Sequence, residues 1–137
     1  DYTGFDARRD ISTLGDVVAR QAHLLALAQA AAARGPLVLA GSSLGAYIAG
    51  RVSLEVPVAG LFLMAPPISM GALQDLDAAQ VPVSVIHGWD DELIPAQHVV
   101  DWATPRRAQL LLVDDAHRLS DHVEASAQAF AQLLASL

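Results

Sequence analysis

The chain has 137 residues, 53% of them apolar and 17% charged, with a net charge of −7. So apolar a composition excludes intrinsic disorder, and the length suffices for one domain with a sizeable core. All eight basic residues are arginine, and there is neither lysine nor cysteine, which removes lysine Schiff bases, Walker-type phosphate loops, disulfides, thiolate metal sites and cysteine nucleophiles.

Residues 1–11 read as a loop. Ser12 to Arg34 reads as a helix, with Leu14, Val17, Val18, Gln21, Leu24, Leu25, Ala28 and Ala31 near one face, Ser12 as N-cap, Asp16 in the first turn and Gly35-Pro36 as the stop. Leu37 to Ala40 is a short buried strand, and Leu44 to Leu54 a helix of small residues. Val58 to Ala65 and Val83 to His87 are further strands, the first ended by Pro66-Pro67. A helix begins at Ile94 or Pro95 and runs to Trp102. Ala108 to Val113 is a fourth strand, and Asp121 to Leu137 a closing helix with Val123, Ala127, Phe130 and Leu134 on one face. Residues 66–81 carry no strong signal, leaving room for a short helix or a small cap. Near-continuous apolar strands alternating with helices predict an α/β fold with a mostly parallel sheet covered on both faces, a three-layer αβα sandwich. No linker divides residues 1–137, which predicts a single domain.

An acidic chain without clustered cations predicts no partnership with nucleic acid or an anionic membrane. No apolar run reaches the roughly 18 residues of a membrane span. The first residues, Asp-Tyr-Thr-Gly, do not resemble a basic and apolar leader. With no cysteine, these features are compatible with a cytoplasmic location.

Gly41-Ser42-Ser43-Leu44-Gly45 matches G-x-S-x-G between a buried strand and a helix, the setting of a nucleophile elbow. A strained turn there raises a serine hydroxyl above the sheet, while Gly41 and Gly45 avoid collisions with the neighbouring strand and helix. Ser43 holds the nucleophile's place in the motif, with Ser42 as the alternative, and the Leu44 N–H at the helix start is an oxyanion donor. The same segment also reads as a glycine-rich turn with a capping serine. After the third strand come three acids, Asp90, Asp91 and Glu92. One of them could orient a catalytic imidazole, although capping the following helix suits Asp90 and Glu92 better. His117 follows the fourth strand, at the carboxyl edge where ligands of parallel sheets gather. His23 and His98 read as structural or solvated, with His122 and His87 as alternates to His117.

These segments together, GSSLG at 41–45, HGWDDELIP at 87–95 and DDAHRL at 114–119, resemble the α/β-hydrolase superfamily, in particular its small, lid-poor bacterial members. The resemblance implies the order nucleophile, acid, histidine, and the family's acid loop, laid on Gly88, Ile94 and Pro95, selects Asp91. The implied triad is therefore Ser43, Asp91 and His117. The implied activity is that of a serine esterase acting through an acyl-enzyme; the motifs do not select a substrate, but an apolar rim without clustered arginine fits a small, neutral ester, and neither a cofactor nor a metal site is indicated. Trp89, Met64, Pro66, Pro67, Ile68, Met70 and Leu93 are expected around the substrate.

The resemblance also implies strands upstream of Asp1, on the order of 40 residues, and a second oxyanion N–H from a loop among them. Without that donor the rate would fall by about 10²–10³, unless Tyr2, Thr3 or the backbone of residues 1–6 compensates. A sheet edge left open by those strands would invite homodimerisation by strand pairing. A non-catalytic binding protein on the same fold is the competing reading. A dehalogenase is disfavoured because position 43 is serine rather than the aspartate that class resembles.

Overall fold

The computed structural model describes residues 14–71 and 73–137, with side chains from residue 17 onward. The expectations for the opening loop, for Ser12 as N-cap, for the Asp16 side chain and for Tyr2 and Thr3 lie outside the described residues. The elements are α1 (Leu14–Ala32), β1 (Val38–Ser42), α2 (Leu44–Ser53), β2 (Gly60–Met64), β3 (Val83–Gly88), α3 (Ala96–Arg106), β4 (Gln109–Val113) and α4 (Val123–Ala135). The strands form one parallel sheet in the order β1-β2-β3-β4. All four carboxyl ends therefore lie along one edge, where Ser42 is level with Met64, Met64 with Ile86, and Gly88 with Val113.

Each crossover steps the same way along the sheet, and right-handed connections stepping one way stay on one face. On that face α2 and α3 pack over Leu39, Leu61, Leu63, Val83 and Val85, and α1 packs against α2. The alternate residues Phe62 and Ile86 face α4 with Val113, Leu119 and Leu133, and the Phe62 and Phe130 rings stack 5.1 Å apart. The sheet is thus the middle layer of an αβα arrangement. Ile48, Leu61, Leu63 and Ile86 are fully buried, each contributing roughly 1.5–3 kcal/mol by removal from water.

Helix α3 departs most from expectation. It starts at Ala96 and continues past Trp102 through Pro105 to Arg106. Pro105 lacks the N–H that would bond the carbonyl four residues earlier, and its place in the last turn confines that break to the end of the helix. Arg107 then closes the helix at φ 53°. Neither Asp90 nor Glu92 caps it, since its N-cap is Pro95 and no side chain bonds the helix start.

Residues 66–81 contain neither helix nor strand among the described residues. Side chains of α2 and α3 fasten this segment instead. The Tyr47 hydroxyl donates to the Gln74 carbonyl at 2.6 Å, and Trp102 Nε1 to the Leu76 carbonyl at 2.9 Å. Ser53 Oγ accepts the Ala79 N–H at 2.9 Å, and Arg106 meets Asp77 at 3.0 Å. Burial pushes the Tyr47 pKa up, with Asp75 adding to the shift and Arg51 opposing it, so the hydroxyl keeps its donating proton. A segment that no periodicity describes becomes a fixed wall beside the carboxyl edge.

Candidate active site

The elbow follows from a close approach of two backbones. A Cβ on Gly41 would lie 2.3 Å from the Gly45 carbonyl oxygen and 2.7 Å from the Ala46 nitrogen. Helix α2 can therefore start directly on the end of β1 only if residue 41 is glycine. Ser43 is held at φ 54°, ψ −122°, a conformation costing about 1–3 kcal/mol for a residue with a side chain. Its own N–H donates to the Met64 carbonyl at 2.8 Å, and its carbonyl accepts the Ala46 N–H at 2.9 Å. Leu44 is the first helical residue, so its N–H has no partner within the helix.

Because the clashing atoms are backbone, they cannot swing aside. Gly41→Ala should destabilise the protein by about 3 kcal/mol or more, read as a lower urea midpoint at unchanged m-value.

Ser43 Oγ lies 2.9 Å from His117 Nε2, and His117 Nδ1 lies 2.7 Å from Asp91 Oδ2. A carboxylate oxygen can only accept, so Nδ1 carries the proton and Nε2 presents its lone pair to the Ser43 hydroxyl. The Asp91 side chain is fully buried. Its other oxygen, Oδ1, accepts the N–H groups of Leu93 at 2.9 Å and Ile94 at 2.8 Å. Ser42 ends β1 opposite Met64; the hydroxyl that meets the imidazole is that of Ser43.

His87 and His122 are placed elsewhere. His87 is fully buried in β3. Its Nε2 donates to the Ile94 carbonyl at 2.8 Å and stands 3.4 Å from Asp91 Oδ2. It therefore shapes the turn that carries the acid. Its Nδ1 has no hydrogen-bond partner among the described residues. His122 Nδ1 donates to Asp115 Oδ2 at 3.0 Å. That bond, above all, holds the Asp115 carboxyl below its usual range, against an opposing effect of burial and with help from the Ala116 and Asp121 N–H groups.

The hollow beside Ser43 and His117 is lined by Leu44, Pro67, Ser69, Met70, Leu93 and Ile94 and measures about 200 Å³. Of the residues expected there, Pro67, Met70 and Leu93 line it. Met64 instead faces α4, lining a hollow with Phe62 and Phe130, because its strand position points it to the other side of the sheet. Pro66 is buried, where the chain turns inward at Ala65 with φ 47°. Ile68 lines a separate hollow with Leu76, His98 and Trp102. Trp89 is 58% exposed to solvent and outside the lining. Ser69 and Ile94 were not foreseen in the lining; Ser69 belongs to no motif, and Ile94 was read only as an anchor of the acid loop.

Among the described residues, no group of three or more histidines and acids is placed to hold a metal ion, and no helix is long and apolar enough to cross a membrane.

The fold is shared with known proteins. A Xanthomonas campestris protein assigned to the α/β superfamily of hydrolases is 60% identical to the chain, which it matches over its whole length and 79% of its own, with a TM-score of 0.94. The chain belongs to the α/β-hydrolase superfamily. A second X. campestris structure, of an α/β serine hydrolase without lid, is 27% identical, with a TM-score of 0.68 over 92% of the chain and 60% of its own length. A Coxiella burnetii α/β serine hydrolase homologue, at 24% identity, shares the fold with a TM-score of 0.68 over 93% of the chain and 62% of its own. The chain thus spans less than two thirds of these last two α/β hydrolases. No family model and no curated protein matches the sequence.

Proposed function

We propose that the protein is a serine hydrolase that cleaves small, neutral carboxylic esters. The observation that carries this reading is the unbroken hydrogen-bond chain from Ser43 through His117 to Asp91. The serine and hydrolase descriptions of the X. campestris and C. burnetii relatives support it.

In the proposed reaction, Ser43 Oγ attacks the ester carbonyl while His117 Nε2 takes its proton. The imidazolium that forms is stabilised by Asp91, and the oxyanion receives the Leu44 N–H. His117 then delivers its proton to the departing alkoxide as the acyl–oxygen bond breaks. Water, activated by the same imidazole, attacks the acyl-enzyme and returns Ser43 to its starting state.

Two features support the substrate class. The hollow is lined mainly by Leu44, Pro67, Met70, Leu93 and Ile94, which suits an uncharged group, and a net charge of −7 disfavours anionic substrates. Its volume of about 200 Å³ falls below the roughly 300–1,000 Å³ of drug-sized sites, matching a short acyl group. The test is turnover of p-nitrophenyl acetate and butyrate together with labelling by a fluorophosphonate probe, mapped by mass spectrometry. Turnover and a single label on Ser43 are expected; a folded protein that neither turns over nor labels would refute the reading.

A further inference from the structure

We propose that Asp115 and His122 form a clasp that positions the His117 imidazole, making both of them positioning residues for the reaction. The proposal rests on the reading of His117 as the general base. β4 lies three strands from β1, a distance of about 14 Å at ordinary strand spacing. The loop after β4 must reach back over that span to bring His117 to Ser43. It contains no regular element between Asp114 and His122. Its internal backbone bonds are two short turns, Leu119 N–H to the Ala116 carbonyl at 3.2 Å and His122 N–H to the Leu119 carbonyl at 3.0 Å. Between them Leu119 sits at φ 57°, a conformation that a branched side chain holds only when its surroundings impose it.

The buried Leu119 side chain packs in the core, and Asp115 ties the loop from its first residues. Its Oδ1 accepts the Ala116 N–H at 2.8 Å. Its Oδ2 accepts the Asp121 N–H at 2.9 Å and His122 Nδ1–H at 3.0 Å. One carboxylate thus joins the beginning of the loop to its end, with His117 in the segment between. The Asp115 backbone acts in the other direction, its carbonyl accepting the Asp90 N–H at 3.0 Å. A Cβ on Gly88 would lie 2.3 Å from that carbonyl oxygen, so the two loops approach this closely only over a glycine. The residue that closes the histidine loop therefore also sets its register against the loop carrying Asp91.

Misplacing a reacting group by about 1 Å costs on the order of 10²-fold in rate, which sets the expected scale. Asp115→Ala should lower kcat by about 10²-fold and His122→Ala by about 10-fold, each with KM within about 3-fold of the original. His122→Asn, which restores a short N–H donor, should recover most of the loss. Asp114→Asn removes the same charge from an exposed neighbouring residue and should change nothing. A second readout needs no substrate: the His117 Nδ1 proton, held against Asp91, is seen by NMR as a far-downfield resonance. It should broaden or shift in His122→Ala and persist in Asp114→Asn. An unaltered resonance in His122→Ala, or an equal loss of kcat in Asp114→Asn, would overturn the clasp. His122 is partly exposed, so its variants decide the matter even where Asp115→Ala does not fold. If the native protein turns over no ester yet the resonance responds as described, the hydrolase reading falls and the clasp stands.

Discussion

Ser43→Ala should abolish ester turnover, lowering kcat by at least about 10⁴-fold, with little loss of stability. The reason is local. The Oγ being removed is the atom that the imidazole of His117 meets at 2.9 Å, and alanine has no group through which an acyl-enzyme could form. The elbow itself needs only a backbone able to hold φ 54° and the Gly41 clearance, neither of which depends on the hydroxyl. Loss of a side chain from a strained position leaves the Ser43 N–H bond to Met64 and the helix start in place. Steady-state turnover of p-nitrophenyl butyrate, corrected for uncatalysed hydrolysis, measures the effect, and circular dichroism checks the fold. A variant retaining a tenth of the native kcat would place the nucleophile elsewhere.

Asp91→Asn should cost nearly as much, about 10⁴-fold in kcat, by inverting a tautomer rather than removing a contact. Two backbone donors, Leu93 and Ile94, already point at Oδ1. An asparagine must present its carbonyl oxygen to them, which turns its NH₂ group toward His117 Nδ1. An amide donor there demands a lone pair on Nδ1, so the ring proton moves to Nε2, where it faces the Ser43 hydroxyl. The base then has no lone pair for the serine proton although every heavy atom is in place. The two N–H bonds that hold the acid turn survive, so thermal stability should change little. The discriminating measurement is kcat alongside the His117 proton resonance: loss of both, with a native unfolding midpoint, is expected. Retention of the Nδ1 proton signal would show that the turn does not impose the amide orientation.

The elbow was legible in the residues because its constraints are local. Gly41 is needed where the backbone of the next helix passes within one side chain's reach, and the serine follows at a fixed offset. The helix boundaries were legible where glycine and proline interrupt a periodic pattern, as at Gly35-Pro36, and illegible where a proline lies within the last turn of a helix, as at Pro105. Met64 shows a different limit. A strand buried on both faces is apolar at every position, so β2 offers no alternation from which to tell the α4 side from the side of the site.

Composition, periodicity and the order of motifs were thus enough for the class of fold and for the strand-turn-helix setting of Ser43, because strand, turn and helix are written in neighbouring residues. The acid-loop resemblance singled out Asp91 among Asp90, Asp91 and Glu92, but the two backbone N–H groups and the imidazole 26 residues away that meet its carboxylate are tertiary contacts. The walls of the hollow depended on how residues 66–81 are tied to Tyr47 and Trp102. The clasp between Asp115 and His122, the clearance at Gly88 and the burial of His87 beneath the acid are likewise contacts between loops. Nothing in a linear pattern encodes them, because each depends on where a parallel sheet delivers the ends of its strands.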